Sequence, residues 1–396
     1  MKHFWNNIKQ WLLDTARTFR REVVLTSKDM GVLLFFVLLP LFYPLVYTSI
    51  YNPEVTRDMP VAVVDNCRTA ESREFIRHAD ATQAIKICGY ASNLDEARTW
   101  WYEKRCYGII EIPENYSKRI GRGEQGVVQF YSDMSLLLRY RSFLESITAL
   151  QMATDAQLRT ETMDALGVSS SGSDQATGIE IEARFLGDPQ QGFASFVMPG
   201  IFILILQQSM ILGIAMLGGA SRERRRRNGG IDPLAVTASA SASVIGKALC
   251  YIAFYIPSTI YVLHFVAIMF NIPHIGQVST YFLFIVPMLI ASAMFGQTLQ
   301  VFVSERESSF VLFVFTSVAF LFLSGLTWPR IAMNTFMQAL GSLVPATWGV
   351  EGFIRINNNG APLALEAKPY LWLWALSILY FITATLLARR SRRHHA

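Results

Sequence analysis

Met30 to Ile50 reads MGVLLFFVLLPLFYPLVYTSI and carries no charged residue. A helix needs about 20 mostly apolar residues to cross the hydrocarbon core of a bilayer, so this stretch reads as a membrane span. Working outward, Phe193 to Leu217 is a second span. Ala248 to Ser304 has no Asp, Glu, Lys or Arg and is too long for one helix; Asn271-Ile-Pro-His-Ile-Gly-Gln277 breaks it into a third and a fourth. Ser308 to Thr327 and Tyr370 to Ala388 complete six. Composition agrees. Of 396 residues, 52% are hydrophobic and only 16% charged, against about 25% charged in soluble domains. That excludes a wholly soluble chain, and it excludes disorder, which needs low hydrophobicity and high charge. A net charge of +5 does not indicate nucleic-acid binding. The polar residues that precede Met30, with no small-residue cleavage site after the apolar run, read as an uncleaved anchor rather than a signal peptide.

Basic residues in short loops stay on the cytoplasmic side. Three clusters stand out: Lys9, Arg17, Arg20, Arg21 and Lys28; Arg222 and Arg224 to Arg227; and Arg389, Arg390, Arg392 and Arg393. Six spans put all three inside, with both termini cytoplasmic. Ile331 to Val350 is also uncharged, but it holds Asn334, Gln338, Gly341, Ser342 and Pro345. It is expected to be re-entrant or interfacial on the outer side, because a seventh span would send the basic tail outside. Non-helical backbone at that depth must be buried in protein or line water.

The fold class expected is an α-helical polytopic membrane protein with six transmembrane helices and an α/β extracytoplasmic domain inserted between spans one and two. The divisions are an amphipathic interfacial helix over 1–29, span one over 30–50, the outer domain over 51–191, and a five-span region over 192–388. A basic tail occupies 389–396. Within the five-span region the sequence places a cytoplasmic loop at 219–247 and the outer hairpin at 328–350. In the first helix Phe4, Ile8, Trp11, Leu12 and Phe19 share an apolar face, suited to lying in the interface. In the outer domain, strands are expected at Val61–Asp65, Ile85–Cys88, Tyr107–Ile112, Val127–Tyr131 and Ile179–Leu186. Helices are expected at Thr69–His78, from Asn93-Leu-Asp-Glu96 through Lys104, at Glu114–Arg122 and at Ser142–Leu166. Asn93 to Glu96 resembles a capping box, and Gly167 to Gly178 reads as a flexible loop.

Catalytic motifs are nearly absent. No Gly-x-x-x-x-Gly-Lys-[Ser/Thr] phosphate loop occurs, and Gly246-Lys247 lacks the upstream glycine, so the chain is not expected to hydrolyse ATP itself. No zinc spacing appears. Cys67, Cys88 and Cys106 are either buried small side chains or contain one disulfide, since an outer domain meets an oxidising compartment; Cys250 falls in the third span. His394 and His395 read as a stray tail. His264 is read as the only titratable candidate in the spans, a packed and hydrogen-bonded histidine. Ion-coupled transporters usually need ionisable groups or broken helices near the midplane, so the energy for any transport is expected from elsewhere. Arg222-Glu-Arg-Arg-Arg-Arg227, followed by Asn228-Gly-Gly230 and Ile231-Asp-Pro-Leu234, is either a topology signal touching anionic lipid or a docking element, with a short helix expected at the membrane surface.

The order of one span, a large outer α/β domain and five spans resembles the permease subunits of ABC-2-type ABC exporters, in the branch with a large extracytoplasmic domain. Pro60-Val-Ala-Val-Val-Asp65 and Gly108-Ile-Ile-Glu-Ile-Pro113-Glu-Asn-Tyr116-Ser, with Gly121-x-Gly123, are similar to that branch's outer domain. Arg222-Glu223-Arg224, Gly229, Leu234 and Gly246-Lys247 are similar to its cytoplasmic segment. Ser324-Gly325-x-x-Trp328-Pro329 and Val344-Pro345-Ala-Thr347 are similar to its outer hairpin. Arg225 to Arg227 and Gly230 depart from the family's usual residues. The resemblance implies a bacterial inner-membrane permease that moves a hydrophobic or amphipathic substrate outward. It implies no cofactor on this chain, with ATP on a separate ATP-binding subunit. Further partners implied are a second permease copy or paralogue and membrane lipid, with a periplasmic adaptor left open and no nucleic acid. It makes Arg222, Glu223, Arg224, Gly229 and Lys247 the ATPase-coupling candidates, and Gly325, Trp328, Pro329 and Pro345 the hairpin candidates. The rival classes are a membrane-anchored sensor or assembly factor and a secondary transporter or channel. A neighbouring reading frame encoding a phosphate-loop ATPase would discriminate them.

Overall fold

A computed structural model of the chain describes residues 2–51, 57–132, 137–165 and 192–393. The chain divides into two compact units, Met1–Asn52 with Phe185–Ala396, and Pro53–Arg184. The first unit opens with helix α1 (Lys2–Lys28) and helix α2 (Met30–Tyr51). Asp29 separates them and caps α2, accepting the N–H groups of Gly31 (3.1 Å) and Val32 (3.2 Å). Such a side-chain acceptor satisfies donors that have no partner within the helix. A π-helical turn at Leu34–Leu38 lies inside α2.

The second unit contains strand β1 (Met59–Asp65), helix α3 (Ala70–Asp80), β2 (Ile85–Tyr90), α4 (Leu94–Tyr102) and β3 (Gly108–Ile112). Helix α5 (Tyr116–Gly121), β4 (Gln129–Ser132) and α6 (Leu137–Ala165) follow. The sheet order is β2-β1-β3-β4; β1 pairs in parallel with both neighbours and β3 pairs antiparallel with β4. Side chains alternate across a strand. Val61 and Val63 therefore pack with Phe75, Ile76, Phe143 and Ile147 on one face, while Ala62 and Val64 meet Ala97 and Ile109 on the other. Both faces of β1 are covered, which is why it reads as an unbroken apolar run. Asn93 caps α4 by accepting the Glu96 N–H (2.8 Å), and Glu96 accepts the Ser92 N–H (2.7 Å). The four cysteines are free. The expected strand at Ile179–Leu186, the loop at Gly167–Gly178 and His394–His395 lie outside the described residues.

The first unit resumes with α7 (Phe193–Arg227), α8 (Ala240–Met269, with a π turn at Tyr261–Phe265), α9 (Val278–Leu299) and a 3-10 turn at Gln300–Phe302. Then come α10 (Ser308–Leu323), a 3-10 turn at Arg330–Ala332, α11 (Thr335–Ser342), α12 (Pro345–Asn359) and α13 (Ala367–Arg393). Among the described residues, five helices are long and apolar enough to cross a membrane: α2, α7, α8, α9 with its 3-10 extension, and α13. The stretch read as Ser308–Thr327 is helical only to Leu323, because Gly325 takes a left-handed φ of 86°. At 1.5 Å per residue α10 is about 24 Å long. The loop read as 219–247 is shorter than expected, since α7 continues to Arg227 and α8 begins at Ala240. No helix forms at Ile231–Leu234. Gly229 and Gly230 both have positive φ (64° and 96°), and the Asp232 side chain is bonded to other elements.

Candidate functional site

Helix α7 is the axis of the first unit, buried along almost its whole apolar length. Its cytoplasm-expected end carries the arginine run, of which Arg222 and Arg224, with Glu223 between them, turn inward while Arg226 and Arg227 are exposed. Arg222 donates to the carbonyls of Gln300 and Val303, while Glu223 accepts the Arg306 N–H (2.7 Å). The loop between α9 and α10 is thus bound to α7 through its backbone. It comes so close that a Cβ on Gly219 would lie 2.7 Å from the Glu305 backbone. The Arg306 guanidinium pairs with Asp29, joining the same loop to the start of α2. Arg226 reaches Glu305 at 3.0 Å, but both are well exposed, and such pairs contribute about 0–1 kcal/mol.

The turn after α7 closes on Asp232, which is 4% exposed. Its carboxylate accepts from Arg21 (3.2 Å), Arg224 (3.2 Å), the Ser221 hydroxyl (2.8 Å) and the Leu234 N–H (3.0 Å). Burial alone would raise its pKa; the bonds from Arg224, Ser221 and Leu234 outweigh that, and the carboxyl titrates below its ordinary value. Arg21 belongs to α1, so Asp232 ties α1, α7 and the turn together. Gly229 gives the turn its left-handed step and has open space around it, while Ile231 and Leu234 on either side of Asp232 are exposed.

Helix α1 packs on α8 with an unexpected face. The buried side chains are Asp14, Thr15, Thr18, Glu22 and Thr26, whereas Leu12, Leu13 and Val24 are exposed. Trp11 donates from its indole N–H to the Ser241 hydroxyl (3.1 Å), and Asp14 accepts the Ser239 N–H (3.3 Å). Glu22 accepts the Tyr251 hydroxyl (2.6 Å) and lies 4.0 Å from the Lys247 ammonium. The neighbouring Gly246 makes the approach possible, because a Cβ there would sit 2.7 Å from the Thr15 carbonyl oxygen and 2.9 Å from Thr18 Cβ. The Gly-Lys pair is therefore the seat of α1. Of the apolar residues of α1, Leu12 and Leu13 are exposed, whereas Phe19 packs on the core and Trp11 is tied to Ser241.

The hairpin candidates gather at the other end of the unit. Pro345 opens α12, and the adjacent Ala346 N–H donates to Gln207 Oε1 on α7 (2.6 Å). The carbonyls at the end of α11 are also satisfied, Ser342 by the Trp348 indole N–H (3.0 Å) and Leu343 by the Tyr380 hydroxyl (2.5 Å). This is how a helix break can exist away from water. Arg330, held near Gly325, donates to Glu351 (2.8 Å) and Ser342 (2.9 Å) and lies 4.4 Å over the Trp348 ring. Trp348 in turn stacks on Trp372. Pro329 begins the 3-10 turn, and Trp328 is exposed.

His264 sits on the π turn of α8, 2.9 Å from the Tyr281 hydroxyl, with the His274 ring 6.0 Å away. Sequence reasoning missed Glu22, Asp29, Asp232, Arg306 and the buried Gln207-Gln208 pair of α7. The last was the one readable signal, two adjacent amides inside an apolar span. Gln207 at the hairpin and Glu223 at the loop are about 24 Å apart along one helix at 1.5 Å per residue.

No curated protein matches the chain. The family model described as ABC-2 family transporter protein matches residues 30–386. With that match across nearly the whole chain and a fold of several membrane-length apolar helices, this multi-pass membrane protein belongs to the ABC-2 transporter family as a transport permease.

Proposed function

We propose that this chain is the membrane half of an ATP-driven exporter in a bacterial inner membrane. It has six spans, with α10 as the fifth, both termini inside and the α/β unit outside. A separate ATP-binding subunit, which holds the ATP, docks against the turn at 228–239 and α1. A second permease copy or paralogue completes the assembly, and the cargo is hydrophobic or amphipathic. The observation that carries this reading is the bonding of Arg222, Glu223 and Arg224. These residues do not present a free docking face; they bind the turn and the α9–α10 loop to the end of α7. A push on the turn therefore reaches α10, and through α10 the hairpin, by way of Glu223 and Arg306, while Gln207 holds the hairpin to α7.

Replacing Glu223 tests this. Glu223→Ala removes the acceptor of a partly buried charge-assisted bond, a loss of about 1.5–3 kcal/mol. If the run were a direct docking face, the ATP-binding subunit would no longer co-purify. If it is an internal frame, the subunit co-purifies normally and the complex loses ATP-driven response. Wild-type behaviour in both Glu223→Ala and Arg222→Ala/Arg224→Ala would contradict either role. The span count is checked separately by labelling single cysteines from outside: positions 277 and 359 are expected to react and position 228 to be spared.

A further inference from the structure

An open cleft of about 420 Å³ lies at the carboxyl ends of β1 and β2, lined by Asp65, Arg68, Arg73, Tyr90, Ala91 and Ser92. The chain leaving β1 turns to α3 on one face of the sheet, and the chain leaving β2 turns to α4 on the other. In open α/β sheets, ligands bind in crevices outside the carboxyl ends of the strands. The volume is in the range of small-molecule sites, about 300–1,000 Å³.

The cleft's charges are unevenly committed. Asp65 is fully engaged: one oxygen accepts the N–H groups of Cys67 (3.0 Å) and Arg68 (2.9 Å), and the other accepts the Ser72 hydroxyl (2.8 Å). Glu96, just beyond the rim, accepts the Ser92 N–H (2.7 Å). Arg68 and Arg73 are exposed and form no close ion pair among the described residues, although the Glu71 carboxyl, held below its ordinary pKa by its own backbone N–H, has Arg73 near enough to help lower it. Tyr90 is 64% exposed at the same opening. Arginine forks suit carboxylate and phosphate oxygens. Two guanidiniums at one opening match a phosphate monoester, which carries about −1.5 to −2 at neutral pH, better than a single carboxylate. A flat substituent on that ester would have the Tyr90 face to rest on.

We propose that the Arg68–Arg73–Tyr90 cleft of the α/β unit binds a phosphate monoester bearing a small flat or apolar group. The test uses the full-length chain in bilayer discs of phosphatidylcholine, titrated calorimetrically with phenyl phosphate. Saturable binding is expected. Arg73→Gln, on a regular helix, weakens it by about tenfold or more, and Arg68→Lys, which keeps charge but loses the fork, weakens it less. Tyr90→Ala weakens phenyl phosphate but leaves inorganic phosphate unchanged. An unchanged thermal midpoint in each variant separates lost binding from lost folding. Discs containing phosphatidate distinguish the source: competition assigns the site to a lipid headgroup, and undiminished binding assigns it to a soluble ester. No saturable binding up to about 10 mM phenyl phosphate, or undiminished binding in Arg68→Gln/Arg73→Gln, overturns the proposal.

Discussion

Gly246→Val will detach α1 from α8. The valine Cβ alone would stand 2.7 Å from the Thr15 carbonyl and 2.9 Å from Thr18 Cβ, and backbone on the opposing helix cannot swing aside as a side chain can. Overpacking of this kind costs about 1–3 kcal/mol, here at the upper end. Once α1 moves, the bonds it makes through Trp11, Asp14, Arg21 and Glu22 are lost together. The protein should still insert, because the substitution keeps α8 apolar and changes no other span. Proteolysis of α1 in solubilised protein is expected to rise sharply, while the remaining chain keeps its thermal midpoint within a few degrees, by about 2–4 °C. Lys247→Ala, which removes only a 4.0 Å ion pair, should protect α1 almost as well as wild type. Equal protection of α1 in Gly246→Val would show that it does not seat there.

Asp232→Ala is the second large effect. It leaves Arg21 and Arg224 without their shared acceptor and orphans the Ser221 hydroxyl and the Leu234 N–H. Breaking a buried pair from one side costs about 3–5 kcal/mol. Both arginines keep some contact with solvent, 17% and 30% exposed, so about 2–3 kcal/mol is expected here. The effect has a pH signature. Because the folded carboxyl titrates below its ordinary value, its contribution is fully present above the unfolded pKa of about 3.9. It is lost as pH falls through the lower folded value. Thermal unfolding in bilayer discs should therefore show wild type well above Asp232→Ala at neutral pH, with the two converging in acid. A gap independent of pH would mean that Asp232 acts by packing alone.

Five membrane-length helices were legible because absence of charge over a bilayer's thickness is a strong and local signal. Asn93 and Glu96 were legible for the same reason, since a cap and its donors lie within four residues. The docking face of α1 was not. Amphipathicity picks out an apolar stripe suited to the interface, but it does not say what the polar face packs on, and Asp14, Thr18, Glu22 and Thr26 are buried while Leu12 is exposed. The partners of that polar stripe, Ser239, Lys247 and Tyr251 among them, stand more than two hundred residues later in the chain. The arginine run was visible, but its role was not, because Arg222 binds carbonyls and Glu223 binds an N–H. Backbone groups look alike at every position of a sequence. The hairpin break could be anticipated from Pro345 and its polar neighbours; that Gln207 would satisfy it could not.

The central claim is that ATP-driven movement at the turn passes through Glu223 to the hairpin. Ile331, 92% exposed in the hairpin, is the place to read it. With the ATP-binding subunit bound, the rate of outside labelling of Ile331→Cys should change by about threefold or more on trapping with ATP and vanadate. The same measurement in Glu223→Ala should show the subunit bound and the labelling rate indifferent to ATP. A rate that ignores ATP in the otherwise wild-type complex, or an undiminished ATP response in Glu223→Ala, would contradict the account.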